Sequence, residues 1–161
     1  MNNISSYSLI LGGEKALNKI SQTPRLDSEL LLAKVLKMGR DQFYCKDIFP
    51  ERKQIQAYDA LLKKRIQGTP VAYLTGCKEF WSLPLKVNQD TLIPRPETEH
   101  LVQQSLVRLA DLEKNYQVLE LGTGCGAVAI ALAKERPEAS ILATDVSPKA
   151  LKIGKYNAKK F

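Results

Sequence analysis

The stretch Val118-Leu119-Glu120-Leu121-Gly122-Thr123-Gly124-Cys125-Gly126-Ala127 decides the fold of this chain. A short apolar run, residues 118–121, is followed at once by a glycine turn and then by a helical stretch that ends before Pro137. A second apolar run covers residues 140–144, and Asp145 lies at its end. The order strand, glycine turn, helix, strand and acid predicts a βαβ unit with parallel strands and a right-handed crossover.

The glycine turn and the acid together predict a nucleoside site. Gly122, Gly124 and Gly126 let the chain reverse tightly and let a ligand approach the backbone without a Cβ in the way. Asp145 follows Gly122 by 23 residues. A carboxylate at the tip of the second strand accepts hydrogen bonds from the two hydroxyls of a ribose. The plain alternative is a tight turn followed by an acidic helix cap, and the complete βαβ context favours the nucleoside site.

Spacing alone leaves the kind of nucleoside open. The pattern Gly122-x-Gly124-x-x-Ala127 also satisfies the dinucleotide fingerprint, so a nicotinamide-dependent oxidoreductase is one interpretation. Glu120 is poorly placed beside a pyrophosphate and well placed near a cationic sulfonium and amino group. The βαβ unit also starts after about 115 residues of other sequence, whereas a dehydrogenase often opens with it. Both features favour S-adenosylmethionine.

The segment before the βαβ unit predicts a hairpin and a helix. Residues 78–87 have the character of a β-hairpin, with Pro84 near its turn or on an edge. Residues 93–96, Ile-Pro-Arg-Pro, cannot form regular helix, because each proline disfavours helix in the residue before it. The second of these prolines then begins a helix with Glu97 and Glu99 in its first turn. The apolar stripe predicted for this helix comprises Val102, Leu106, Leu109 and Ala110.

The first 74 residues have a helical pattern throughout. Helices are predicted over about 8–20, from Pro24 until Gly39 offers a stop, over 41–46, and from Pro50 onward with Gly68 past the end. Helices this short need one another's apolar faces, so a small bundle is expected.

Composition excludes several classes of protein. The 161 residues are 44% hydrophobic and 25% charged, which is a globular composition. No apolar run approaches the roughly 18 residues of a membrane span, and the first residues lack the features of a secretory signal. Cys45, Cys77 and Cys125 are odd in number and far apart, so neither a disulfide framework nor a zinc site is expected. A reducing cytoplasm is the expected location.

The formal charge of +7 does not by itself indicate a nucleic-acid binder. Five of the 24 basic residues are lysines after Val146, where no acidic residue occurs, and their removal leaves 19 basic against 17 acidic residues. The excess therefore marks the solvated face of one helix. No direct nucleic-acid binding is expected.

Beyond these patterns, the chain resembles the release-factor glutamine N5-methyltransferases, the HemK-type enzymes. The resemblance covers the chain from about residue 8 and includes the cofactor loop 120–127 and Asp145. Its other segments are Asp27-Ser28-Glu29-Leu30-Leu31-Leu32-Ala33, Thr69-Pro70-Val71-Ala72-Tyr73-Leu74-Thr75-Gly76, Glu79-Phe80-Trp81 and Leu92-Ile93-Pro94-Arg95-Pro96-Glu97-Thr98-Glu99. Many methyltransferases share the cofactor loop, whereas the Pro-Arg-Pro-Glu-Thr-Glu segment is much more specific.

The resemblance implies an α + α/β fold in three parts. These are a helical substrate-recognition domain over 1–74, a β-hairpin linker over 75–95, and the start of a seven-stranded Rossmann-like methyltransferase domain over 96–161. The implied cofactor is S-adenosylmethionine, and the implied substrate is the glutamine of the Gly-Gly-Gln motif in class I release factors. The implied protein is a monomer without a metal. The cofactor-binding residues implied are Glu120, Gly122, Thr123, Gly124, Cys125, Gly126 and Asp145, with Arg95, Glu97 and Glu99 flanking the active site.

The catalytic motif of that family, Asn-Pro-Pro-Tyr, follows the fourth strand of the cofactor domain and does not occur in these 161 residues. The catalytic residues are therefore expected downstream of Phe161, and residues 1–161 alone are expected to be inactive. A non-catalytic partner-binding fragment is a further alternative. A nucleic-acid adenine methyltransferase would share the cofactor loop but not the Pro-Arg-Pro-Glu-Thr-Glu segment.

Overall fold

The computed structural model describes residues 4–112 and 114–161. They form two compact units, one up to Thr75 and the other from Gly76 to Phe161. The predicted α + α/β organisation is confirmed: helices precede a hairpin, and a βαβ unit follows. The three-part division at residues 74 and 95 stays a prediction, and the hairpin belongs to the second unit.

The first unit is a bundle of helices whose ends follow from local chemistry. The Ser5 hydroxyl caps the first helix by accepting from the Ser8 amide at 3.2 Å, Pro24 begins the second, and Glu51 forms a capping box with Gln54 before the fourth. The predicted stop at Gly39 is wrong, because the second helix already ends at Leu36, where Lys37 adopts the left-handed conformation. The five helices are α1 (Ser6–Leu17), α2 (Pro24–Leu36), α3 (Gln42–Cys45), α4 (Arg52–Ile66) and α5 (Val71–Thr75).

The centre of this bundle contains Tyr58, whose side chain is 1% exposed. Its hydroxyl lies 2.7 Å from the Ser28 hydroxyl and donates to the Leu9 carbonyl at 3.2 Å. A Cβ at Gly13 would lie 2.0 Å from that hydroxyl, so a glycine is needed there although glycine weakens a helix. The other buried members of this core are Ile10, Leu31 and Leu32.

Two acidic side chains of α2 also lie inside the bundle. Asp27 is 6% exposed and accepts from Arg65 Nε of α4 at 2.9 Å. Glu29 is 2% exposed and accepts from Arg25, Arg40 and the Tyr44 hydroxyl at 2.7–3.2 Å. Removal of any one partner would leave a buried carboxylate undersatisfied, which is costly. These contacts explain why polar residues interrupt the apolar pattern of α2.

The second unit opens with an antiparallel hairpin of β1 (Cys77–Phe80) and β2 (Leu83–Lys86). Its two-residue turn is formed by Trp81 and Ser82, with φ of 51° and 58°. Positive φ at both central residues is the hallmark of the turns that match the twist of a hairpin. Pro84 lies in β2 opposite Glu79. The sheet has two strands, so Pro84 is on an edge, one of the two positions predicted.

Helix α6 (Thr98–Arg108) follows the hairpin. The predicted start at Pro96 is wrong by two residues, because a turn comes first: the amides of Thr98 and Glu99 donate to the carbonyls of Arg95 and Pro96 at 3.0 Å. Of the predicted apolar stripe, Val102 is fully buried and Leu106 is half-buried. The prediction is wrong for Leu109 and Ala110, because the helix ends before them, at Arg108.

The βαβ unit has the predicted parallel pairing. Strand β3 (Gln117–Leu121) pairs with β4 (Ser140–Thr144), and helices α7 (Ala127–Glu135) and α8 (Pro148–Ala158) follow the two strands. Side chains alternate between the two faces of the sheet. On one face, Leu119, Leu121 and Leu142 are 60%, 77% and 64% exposed. The other face carries the half-buried Glu120, whose carboxylate bonds to the start of α7.

Candidate nucleoside-binding site

The glycines of the loop between β3 and α7 all adopt positive φ, at 74° for Gly122, 57° for Gly124 and 84° for Gly126. A Cβ added at Gly122 or Gly124 would meet nothing within 4 Å, whereas one at Gly126 would lie 3.0 Å from Ile130 Cδ1. The first two glycines therefore border open space, whereas the third lies against the side chain of Ile130. The open side is a cradle into which a ligand can approach the backbone.

Asp145 stands at the end of β4 and closes one side of this loop. Its Oδ1 accepts from the Ser147 amide and its Oδ2 from the Gly124 amide, both at 2.8 Å. These two bonds, that from Ser147 being the stronger influence, lower the pKa of the Asp145 carboxyl below its ordinary 3.8. A carboxylate offers about four lone-pair sites, so an ionised Asp145 retains acceptor capacity for ribose hydroxyls.

Glu120 holds the loop by hydrogen bonds on its inner side. Its Oε2 accepts from the Thr123 hydroxyl at 2.7 Å and from the Ala129 amide at 3.1 Å. Burial raises the pKa of the Glu120 carboxyl above 4.5, and these two hydrogen bonds oppose that shift. Thr123 is 7% exposed, and its amide donates to the Thr144 carbonyl at 2.8 Å. The Thr123 side chain therefore fixes the shape of the loop.

Cys125 contributes a backbone carbonyl to the packing of the loop, and its thiol is not accessible. Its side chain is 2% exposed, and burial raises the pKa of the Cys125 thiol to about 11. A thiol in such an environment is a poor nucleophile at neutral pH. The carbonyl of Cys125 accepts from the Asn157 side chain at 2.8 Å.

The three residues predicted to flank the site have different surroundings. Glu99 Oε1 accepts from the Trp81 amide at 2.9 Å, so this carboxylate holds the turn of the hairpin. The Trp81 indole donates to Glu135 at 2.8 Å. Arg95 and Glu97 are exposed. Their role beside an active site stays a proposal.

Sequence reasoning missed two residues of α8 that touch the glycine loop, Gly154 and Asn157. A Cβ at Gly154 would lie 3.4 Å from the Gly124 carbonyl oxygen and 3.7 Å from the Gly126 nitrogen. Asn157 is completely buried. The available signal was an amide on the apolar stripe of α8, in register with Ala150, Ile153 and Gly154.

Strand, glycine loop, helix and strand, with a carboxylate at the second strand's end, have the arrangement in which Rossmann-like domains bind nucleosides. Neither residues 4–112 nor residues 114–161 contain a group of three or more His, Cys, Asp or Glu side chains that could hold a metal ion. In the same ranges, every helix is too short or too polar to cross a membrane.

Comparisons with known proteins narrow this class. Residues 8–76 match the PrmC N-terminal domain, and residues 99–161 match the methyltransferase small domain. The chain is 53% identical over 144 residues to a release factor glutamine methyltransferase of Coxiella burnetii, with 89% of this chain and 52% of the relative covered. The protein of that name from Escherichia coli K12 is 49% identical over 142 residues, with coverages of 86% and 50%.

Over most of its length, the chain is therefore similar to the release factor glutamine methyltransferases. It spans about half the length of the curated relatives that it matches.

Proposed function

We propose that this chain supplies the cofactor site of a methyltransferase that transfers a methyl group from S-adenosylmethionine to the glutamine side-chain nitrogen (N5) of the Gly-Gly-Gln motif in class I release factors. The observation that carries the proposal is the open cradle at Gly122 and Gly124, with the ionised Asp145 fixed beside it. The similarity of the chain to methyltransferases supports the choice of cofactor over a nicotinamide dinucleotide.

The residues of the loop fit the cofactor in distinct ways. Asp145 would accept from the ribose hydroxyls, and the backbone at Gly122 and Gly124 would lie against the ligand without a Cβ between them. The negative charge of Glu120, close behind the loop, favours a cationic ligand over a pyrophosphate. Thr123, Cys125 and Gly126 act by holding the shape of the loop. When bound, S-adenosylmethionine supplies an electrophilic methyl group on a sulfonium.

The nucleophile of the proposed reaction explains why positioning matters. An amide nitrogen is weakly nucleophilic, because its lone pair is delocalised into the carbonyl. Orientation and hydrogen bonds that localise these electrons must therefore provide much of the rate enhancement. Within this chain, the helical unit would help to hold the release factor, and Arg95, Glu97 and Glu99 would lie near the reacting groups.

Two measurements on the native-length protein test the proposal. Calorimetric titration should show binding of S-adenosylhomocysteine and none of NAD. The protein should then methylate a release factor that carries Gly-Gly-Gln and leave unlabelled the same factor with that glutamine changed to alanine, as read by mass spectrometry. Preferential binding of NAD would exclude the cofactor assignment. Labelling of both factors, or of DNA, would exclude the substrate assignment.

A further inference from the structure

Asn157 uses its whole side-chain amide in three hydrogen bonds to backbone groups. Its Nδ2 donates to the Cys125 carbonyl at 2.8 Å and to the Lys86 carbonyl at 2.9 Å. Its Oδ1 accepts from the Lys86 amide at 2.8 Å. The first bond reaches the glycine loop, and the other two reach strand β2. One buried side chain of α8 therefore joins the loop to the hairpin.

The two bonds to Lys86 resemble the pairing between neighbouring strands, because one residue both donates to and accepts from the same partner. This arrangement fixes the amide plane of Asn157. The remaining Nδ2 hydrogen then has a defined direction, toward the Cys125 carbonyl. Asn157 has no exposed surface, so water cannot easily replace these bonds when the side chain is removed.

Gly154 adds a steric contact on the same face of α8, one turn before Asn157. Its missing side chain lets the helix backbone approach Gly124 and Gly126, since an added Cβ would already be in van der Waals contact with the loop. An atom beyond Cβ would have to displace the loop or the helix. Close approach at Gly154 and the hydrogen bonds of Asn157 thus act on one segment, residues 124–126.

We propose that Asn157 is a positioning residue, which together with Gly154 holds the glycine loop in its binding shape before the cofactor arrives. A loop that is already ordered loses less conformational freedom on binding, so the bond to Cys125 raises affinity without touching the ligand. The inference rests on the proposed function, because it takes the loop to be the cofactor site. It adds α8 and the hairpin to the parts of the molecule that determine affinity.

The main test replaces Asn157 by leucine, which has a similar shape and no hydrogen-bonding groups. In the native-length protein, Asn157→Leu should lower the affinity for S-adenosylhomocysteine by about tenfold or more in calorimetry, the effect of one lost buried hydrogen bond or more. Hydrogen exchange should show faster exchange of the Gly126 amide, which donates to Thr123 within the loop. Val102→Ala is the stability control: it shortens a fully buried apolar side chain of α6. Its affinity should not change at a temperature where both variants are folded.

A folded Asn157→Leu variant with unchanged affinity and unchanged Gly126 exchange would overturn the inference. If the Asn157→Leu variant does not fold, the inference is tested by cofactor binding of two variants at Gly154. Gly154→Val should weaken binding while Gly154→Ala, whose Cβ fits at contact distance, binds normally; normal binding by both variants would overturn the inference. If the unmodified protein binds no S-adenosylhomocysteine, the proposed function fails, and Gly126 exchange alone then decides whether Asn157 fixes the loop.

Discussion

At the scale of single residues, neighbouring glycines of one loop serve different purposes. Gly122 and Gly124 border open space, and Gly126 is confined by Ile130. The sequence predicted that this turn needs glycine, since the pattern lies between a strand and a helix. It could not distinguish a glycine that makes room for a ligand from one that makes room for a side chain. That distinction depends on where α7 and α8 pack.

Asp145 allows the sharpest test of the ribose assignment. Asp145→Asn keeps the size of the side chain and removes its charge, and because its amide nitrogen only donates, either the Ser147 or the Gly124 amide loses its acceptor. We expect a loss of S-adenosylmethionine affinity of at least about tenfold, because the ribose hydroxyls and one backbone amide lose a charged acceptor and such hydrogen bonds contribute about 1.5–3 kcal/mol. Asp90→Asn, which removes a surface carboxylate 3.8 Å from Lys149, is the charge control. Equal affinities of the two variants in calorimetry would remove Asp145 from the site.

Gly124 and Gly68 form a matched pair for testing the cradle. Both have positive φ, 57° and 95°, and an added Cβ would meet nothing within 4 Å at either position. Valine at either should cost of order 1–3 kcal/mol of stability through backbone strain. Only Gly124→Val should abolish cofactor binding, because only that side chain enters the cradle. Thermal unfolding measures the backbone strain in both variants, and calorimetry measures their cofactor binding. Retained binding in Gly124→Val would show that the turn is purely structural.

At the scale of elements, the sequence predicted the strands and helices well and their limits less well. The parallel pair, the hairpin and the first four helices of the bundle follow from apolar spacing and from prolines and glycines, whereas α5 was not predicted. The end of α2 could not be predicted, because Lys37 adopts a conformation that usually requires glycine. The structural role of Asn157 could not be predicted from the sequence either. A polar residue near the end of a helix is usually solvated, and only the packing of α8 against β2 and the loop makes it structural.

The hairpin turn provides a test at this scale. Trp81 and Ser82 occupy positive φ without being glycine, so the turn is strained. Ser82→Gly should raise the free energy of unfolding by roughly 0.5–1 kcal/mol, because relief of about 1–2 kcal/mol of strain is partly offset by the greater freedom of glycine in the unfolded chain. Ser82→Ala keeps the strain and should bring no gain. Urea denaturation measures both, and an equal stability of the two variants would show that the turn is relaxed.

At the scale of the whole molecule, the two units differ in how completely their elements are covered. The bundle surrounds its own core at Tyr58, whereas the sheet of the second unit leaves Leu119, Leu121 and Leu142 largely exposed. Apolar spacing predicted a helical bundle and a βαβ unit. It did not give the degree of exposure of each side chain, because that depends on what lies beside the sheet.

The sheet of the second unit should be locally less stable than the helical bundle, because its elements are less completely covered. Two-stranded sheets have few neighbours to stabilise them, and elements with few buried contacts open most readily. In the 161-residue chain, we expect amides of β3 and β4 to exchange with solvent faster than those of α2 and α4. Hydrogen exchange followed by mass spectrometry resolves these segments. Strong protection of β3, equal to that of α2, would show that the sheet needs no further cover.

The three thiols of the chain should differ in their reactivity according to their exposure. Cys45 and Cys77 are exposed, and Cys125 is buried with a pKa of about 11. Because the thiolate is the reactive form, Cys125 should react about a hundredfold more slowly at pH 8 than a thiol with an ordinary pKa. Titration with a chromogenic disulfide should therefore count two fast thiols per chain. Three fast thiols would show that the glycine loop opens readily.

Selective thiol reactivity provides a means of measuring the distance between the units. Cys45 belongs to the first unit and Cys77 lies at the start of the second. A donor and an acceptor fluorophore attached to these two natural positions would report the distance between the units by energy transfer, with no engineered cysteine and with the buried thiol left unlabelled. The same labelled molecule, followed while cofactor or release factor is added, would show whether either ligand changes that distance.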